Sequence, residues 1–383
     1  MAVCILLILL ANGIISFAYN VANTPETTTL WGLLSTNFLF YLGLTQTGIV
    51  FSAIMRIAKS EWGRYFNRLG EILTLSFIPV AFVTFIIIYI GGTDHLFWWA
   101  QPQPSNGHGP AHISPWLGKD LFLWRNIVLM ALFYVMSYIY FVNGRKEEGK
   151  SEIPVHLEQT LNVMAGLVIF FYVALNTNLA WDFGMTIIKH WESSIFPAYY
   201  WVGNVFAGSA FLYLLGAYFI SRRPGKALDK RHLDSVGILL LGLTLLWTYM
   251  FWSQHIVLWY GDIPSLTKPF YKSLTGNYAV PAAVMVLALF VLPFFALIQK
   301  KVKYCMASLA VTAAIICLGV WVSRYLMILP IFEDGSSPAY ATWTNLSLVS
   351  GGFAATILSL MVFFKLFPRV PITIVPESSE AGH

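Results

Sequence analysis

The stretch Trp247–Pro264, WTYMFWSQHIVLWYGDIP, decides the class of this protein. It is apolar and aromatic enough to cross a bilayer, yet it carries Thr248, Ser253, Gln254, His255 and Asp262. Thr248, His255 and Asp262 recur at i, i+7 and i+14, with Thr244 one turn earlier. On an α-helix these positions share a face. Polar side chains in hydrocarbon cost free energy unless paired, so this stripe is expected to face other helices or a wetted path. Pro264 ends the helix near a membrane surface.

Composition extends that reading to the whole chain. Hydrophobic residues make up 57% and charged residues 11%, with mean hydropathy +0.68, whereas soluble domains carry about 25% charge. Ten apolar segments reach spanning length: 1–18, 30–57, 66–91, 122–143, 160–188, 197–220, 236–261, 277–299, 304–331 and 342–366. The expected fold is all-α and membrane-embedded, a single polytopic domain over 1–366 with a tail at 367–383. The first segment has no Lys or Arg before its apolar run and no small-x-small cleavage site, so it is taken as a span, not a signal peptide. Cys4, Cys305 and Cys317 lack paired spacing, which excludes a thiolate iron–sulfur or zinc site within the chain.

Lys and Arg set the expected orientation. Seventeen of them fall on one set of segment ends: Arg56, Lys59, Arg64 and Arg68, then 145–150, 222–231, 300–303, and Lys365 and Arg369. Six fall on the other: Lys119, Arg125, Lys189, Lys268, Lys272 and Arg324. Both termini are therefore expected in the cytoplasm. The basic loops account for the net charge of +5 as a topology signal, so no nucleic acid is expected as a partner.

Several intramembrane polar residues are functional candidates. Glu71 lies about one turn inside the cytoplasmic edge and either pairs with Arg68 or Arg64 or admits protons beside Gln46 and Thr47. Asn178, Asp182, Thr186 and Lys189 fall on one helical face, as do Tyr200 and Asn204. By depth, the outer third collects Asp182, Asn204, His255, Asp262 and Arg324. Three roles fit that cluster: an ion-paired packing device with Asp182 on Arg324 or Lys189, a proton path, or a quinone headgroup pocket of Asp182, Asn204, His255 and Arg324. His255 is the expected proton acceptor near neutral pH. The loop 92–120 holds Trp98 and Trp99, read as interface anchors, and His108 and His112, whose intervening Gly109 and Pro110 argue against a metal pair. Gly351 and Ala355 suit close helix packing. With His255 the one histidine well inside a segment, a bis-His haem is not expected. No Walker glycine loop and no matched pair of broken helices is present.

These residues carry a resemblance. Trp247, Tyr249, Phe251, Ser253, Gln254, Trp259, Tyr260, Ile263 and Pro264 resemble the Trp-x-Tyr-x-x-x-Ser-Gln…Trp-Tyr-x-Asn-Ile-Pro signature of the NrfD/PsrC-like membrane subunits of alternative complex III. The likeness is to the smaller, ActF-type subunit. A second block agrees through Asp182, Met185, His190, Trp191, Ser193, Ile195 and Phe196, and His232-Leu233-Asp234 resembles a short loop motif of the same subunit. His255 stands where Tyr or Phe is usual, Asp262 where Asn is usual, and Ser265 and Leu266 where paired glutamates are usual.

The resemblance implies ten helices in two four-helix bundles, spans 2–5 and 6–9, flanked by spans 1 and 10. It implies a subunit of a quinol:acceptor oxidoreductase in a bacterial inner membrane, in a respiratory or photosynthetic chain. Its implied partners are a second NrfD-like subunit, an iron–sulfur subunit and multihaem cytochromes c. Haem c and iron–sulfur clusters would lie in those partners, quinol could bind nearby, and this chain would hold no redox centre. A stand-alone proton channel or transporter, and a purely structural anchor, are the alternatives. For the proton path, the expected order is Glu71, Gln46 and Thr47, ordered water, then Asp182, His255, Asp262 and Arg324.

Overall fold

The computed structural model describes residues 2–60, 62–101, 114–147, 154–189, 191–222, 229–332 and 339–367, and only the backbone of Ala2, Arg64 and Tyr65. His108, His112, His190, Arg223, Lys226, Lys150, Arg369 and the tail from 368 lie outside the described residues. The described chain is all-α. In hydrocarbon every backbone N–H and C=O must be bonded internally, and a helix does this within one segment. Ten helices are long and apolar enough to span: Val3–Asn23, Thr28–Ile57, Phe66–Leu96, Lys119–Glu147, Val155–Met185, Phe196–Ser221, Lys230–Gly261, Gly276–Ile298, Met306–Phe332 and Trp343–Leu366, called spans 1–10. The end bearing Arg56, Arg68 and Lys303 is called the basic side, and the opposite end the far side.

Spans 2–5 close one four-helix bundle, with span 2 against spans 3 and 5 and span 4 against spans 3 and 5. Spans 6–9 close a second in the same way, and span 1 pairs with span 10 along the flank of spans 2 and 3. The seam between bundles is made by span 2 against spans 6 and 9 and by span 5 against span 6. Span 2 is therefore central, with nearly every residue from Trp31 to Ala53 buried. Spans 2 and 3 touch backbone to backbone at Gly48 and Gly70, where a Cβ on either would strike the other's main chain. Gly13 of span 1 packs close on span 10, where a Cβ would stand 2.8 Å from the Ser347 carbonyl oxygen.

Three of the described spans carry a π-turn. Span 3 breaks at Phe77 ahead of Pro79 and takes a π-turn at Ile88–Gly92. Span 5 ends in a π-turn at Trp181–Met185, and span 8 carries one at Leu287–Val291 ahead of Pro293. After span 7 the chain reverses at Asp262, in the left-handed region (φ 40°, ψ 41°), and runs into the short helix Pro264–Lys272. That helix lies across the far-side mouth of the second bundle, where the Trp191 indole donates to the Leu266 carbonyl at 3.1 Å.

Candidate functional site

At the far end of the first bundle Asp182 is fully buried and fully engaged. Arg125 of span 4 grips it through Nε (3.1 Å) and Nη2, and Asn126 and Asn178 donate to it at 2.6 and 3.1 Å. Arg125 also donates to the Trp116 carbonyl and stacks over the Trp116 ring. Phe97, Trp99, Phe122 and Phe183 pack as an aromatic plug beside this pair. Trp99, 4% exposed, is thus part of the plug and not an interface anchor.

At the seam Arg324 is 1% exposed, and among the described residues no carboxylate pairs with it. Its Nη2 donates to the Tyr200 carbonyl at 2.7 Å and to Asn204 Oδ1 at 2.8 Å, and its guanidinium lies 4.1 Å from the Tyr200 ring centroid. Gly203 leaves the room: a Cβ there would stand 2.9 Å from Nη2. From Arg324 a ladder of carboxamides crosses into the first bundle. Asn204 Nδ2 donates to Asn176 Oδ1 (2.9 Å), and Asn176 Nδ2 donates to Gln46 Oε1 (3.0 Å). A guanidinium only donates, so Asn204 must turn its oxygen to Arg324. Each amide down the ladder is then fixed in turn, and Gln46 Nε2 is left as a buried donor with no protein partner.

Beyond Arg324 on the far side lies a cavity of about 80 Å³. Apolar walls enclose a few polar groups: His255, Gln254, Ser273, and Ser323 with Tyr199, whose hydroxyls meet at 3.0 Å. His255 Nδ1 is held by the Phe251 carbonyl at 2.6 Å, which makes Nδ1 the donor and leaves Nε2 a buried lone pair without a partner. Phe270 of the short helix packs edge-on against the imidazole, 4.3 Å between ring centres.

On the basic side Glu71 divides its oxygens between Arg68 Nη1 (2.7 Å) and Ser52 Oγ (2.6 Å). The Tyr140 hydroxyl is 3.3 Å from both Ser52 Oγ and Arg56 Nε, and Arg56 forks onto Glu147 at 3.0 and 2.6 Å.

The structure rearranges the cluster inferred from depth. Asn204 and Arg324 meet, but Asp182 belongs to Arg125, not to Arg324 or Lys189. Span 5 ends with the π-turn at Trp181–Met185 and residues 186–189 are turn and bend, so the i+11 position no longer lies on a helix face. Lys189 lies over the Trp98 ring instead. Asp262 is exposed past the helix end and reaches neither His255 nor Arg324. The inward stripe of span 7 is Thr244, Trp247, Phe251, Gln254 and Leu258, with His255 at its edge. Thr244 and Thr248 are satisfied by carbonyls of their own helix. Glu71 pairs with Arg68, as the sequence allows, and its second partner is Ser52. Gln46 and Thr47 do not act together: Gln46 faces Asn176, whereas Thr47 donates to the Asn204 carbonyl at 3.0 Å. Sequence reasoning missed Arg125, Asn126, Asn176, Ser52 and Tyr140. Arg125 carries a usable signal, since it stands six residues inside span 4.

No protein-family model matches the chain, and no curated protein matches it.

Proposed function

We propose that this chain is a membrane subunit of a quinol:electron-acceptor oxidoreductase of the alternative complex III type, and that its task is to move protons. Its basic side would face the cytoplasm of a bacterium, and its termini with it. The observation that carries the proton reading is a series of three buried polar groups, Glu71 with Ser52 on the basic side, Gln46, Asn176, Asn204 and Arg324 across the seam, and the His255 cavity on the far side. Membership of the complex is supported by the two sequence blocks around Asp182–Phe196 and Trp247–Pro264. A second NrfD-like subunit, an iron–sulfur subunit and multihaem cytochromes c would be the partners, and electrons would pass through those.

In this reading Glu71 takes up a proton from the basic side, and Nε2 of His255 is the acceptor on the far side. The carboxamide ladder between them is not a proton wire, because an amide has no proton to give near neutral pH. It holds the Arg324 charge in place between two half-paths, and a fixed positive charge repels a hydronium ion. That barrier keeps the resting protein from short-circuiting the gradient it helps to build. The cavity favours this over a quinone pocket: about 80 Å³ suits a few waters, whereas organic ligands occupy roughly 300–1,000 Å³.

The test uses the assembled complex in liposomes, with Glu71→Gln and His255→Phe. The expected result is quinol oxidation retained and proton release into the far-side compartment sharply reduced in both. Wild-type proton release in both variants would make these groups structural. Loss of oxidation in assembled His255→Phe would make the cavity a quinone pocket.

A further inference from the structure

We infer that spans 2 and 4 enclose a file of water molecules running from Glu71 to Gln46. The site itself rests on geometry, and only its role as the proton route of the first bundle rests on the reading above. Both spans run from the far side to the basic side, and two points fix their register. The Tyr140 hydroxyl lies 3.3 Å from Ser52 Oγ, and the Tyr134 hydroxyl faces the Gln46 carboxamide without closing a direct bond. Ser52 and Gln46 are six residues apart, as are Tyr140 and Tyr134. The two helices therefore keep step, and Ser137 falls midway. Tyr134, Ser137 and Tyr140, at three-residue spacing, form one stripe of span 4, with steps of about 4.5 Å along the axis.

Along that stripe three neighbouring polar atoms are buried with no protein partner: Ser137 Oγ, the Tyr134 hydroxyl and Gln46 Nε2. A buried polar atom without a partner is costly to the fold. Tyr134 and Gln46 at one level and Ser137 at the next, between the same two helices, are the signature of ordered water. The spacing fits, since one water spans two groups about 5 Å apart with two hydrogen bonds of ordinary length. The file has a defined start at the Ser52–Glu71–Tyr140 group. It has a defined end, because beyond Gln46 the carboxamides bond one another directly. Gln46 Nε2, aimed by Arg324 through the ladder, donates to the last water. A proton leaving the Glu71 carboxyl breaks one O–H bond there and forms one on the first water. Each water then passes on one proton, the excess proton ends on the last water at Gln46, short of the Arg324 barrier, and it returns to Glu71 by the same file; no electron moves.

The test is X-ray hydroxyl-radical footprinting of the assembled complex, in which radicals born from internal water oxidise the side chains beside it. Tyr134 is expected to be modified several-fold faster than Tyr172, an equally buried tyrosine whose hydroxyl is held by the Trp201 carbonyl. Equal modification of the two would overturn the file. Ser137→Leu, which fills the midpoint, is expected to bring Tyr134 down to the Tyr172 rate while Tyr140 keeps its own, and an unchanged Tyr134 rate would also overturn it. Should that variant not assemble, Tyr134→Phe keeps the ring packing and removes one water partner. Its proton uptake is expected to fall about tenfold, the equivalent of 1.36 kcal/mol on the barrier, and wild-type uptake would count against the file as a route. Fast modification of Tyr134 together with normal proton release in Glu71→Gln would leave the water in place and remove the proton reading alone.

Discussion

Arg125 and Arg324 are both buried near the far side, yet their surroundings give them opposite duties. Arg125 is locked to Asp182 and to the Trp116 carbonyl, and two asparagines donate to the same carboxylate. Removing one member of a buried pair strands the other, so Arg125→Leu is expected to cost about 3–5 kcal/mol of stability. Unfolding of the purified protein would measure this, and the double variant Arg125→Leu/Asp182→Leu should recover part of it. Arg324 has no such acid to strand. Arg324→Met leaves two neutral acceptors, Tyr200 O and Asn204 Oδ1, and takes away a positive charge. The expected consequence is passive: liposomes carrying the variant complex should dissipate an imposed pH gradient faster than wild type, with no quinol added. An unchanged leak rate would deny Arg324 its role as a barrier.

Among the elements, the crossing of spans 2 and 3 is the tightest constraint. Gly48 and Gly70 face each other so closely that a single methyl must push the helices apart. Gly48→Ala is expected to cost about 1–3 kcal/mol, the usual range for overpacking. Ala at Gly166, where nothing lies near a new Cβ, should be neutral. Thermal melts of the two variants in one detergent compare them directly. The same crossing carries consequence for the site, because Thr74 of span 3 donates to the Thr45 carbonyl at 2.7 Å and accepts from the Ile49 N–H at 2.9 Å. Span 2 is thereby held at the level where Gln46 meets Tyr134. A splayed crossing should slow proton uptake as well as lower the melting temperature.

For the whole molecule, the bias of basic residues to one side predicts both termini in the cytoplasm. A reporter fused after His383 should be active only in its cytoplasm-reporting form, and activity of a periplasm-only reporter there would invert the direction of proton flow proposed above. Among the described residues no group of three His, Cys, Asp or Glu side chains could hold a metal. The proposed division of labour predicts that the subunit, separated from its partners, carries neither haem nor iron in stoichiometric amount, which absorbance and metal analysis would check.

The sequence by itself determined the number of spans, their relative orientation and the candidacy of Glu71, Gln46, Asn204, His255 and Arg324. Each of these follows from local physics: the length of apolar runs, the placement of Lys and Arg, and the cost of a polar group in hydrocarbon. The pairing into bundles came from a likeness, and the packing of spans 2–5 and 6–9 agrees with it. Only the tertiary structure decided who meets whom. Depth along a helix is readable from sequence, but azimuth between helices is not, and the end of span 5 at Met185 was enough to take Lys189 off the Asp182 face. Asp182 therefore went to Arg125, which depth had also allowed. The stripe Tyr134, Ser137 and Tyr140 was legible as spacing, yet it gained meaning only when span 4 lay in step with span 2. A polar atom on one helix is satisfied or orphaned by its neighbours, and the neighbours are fixed by packing.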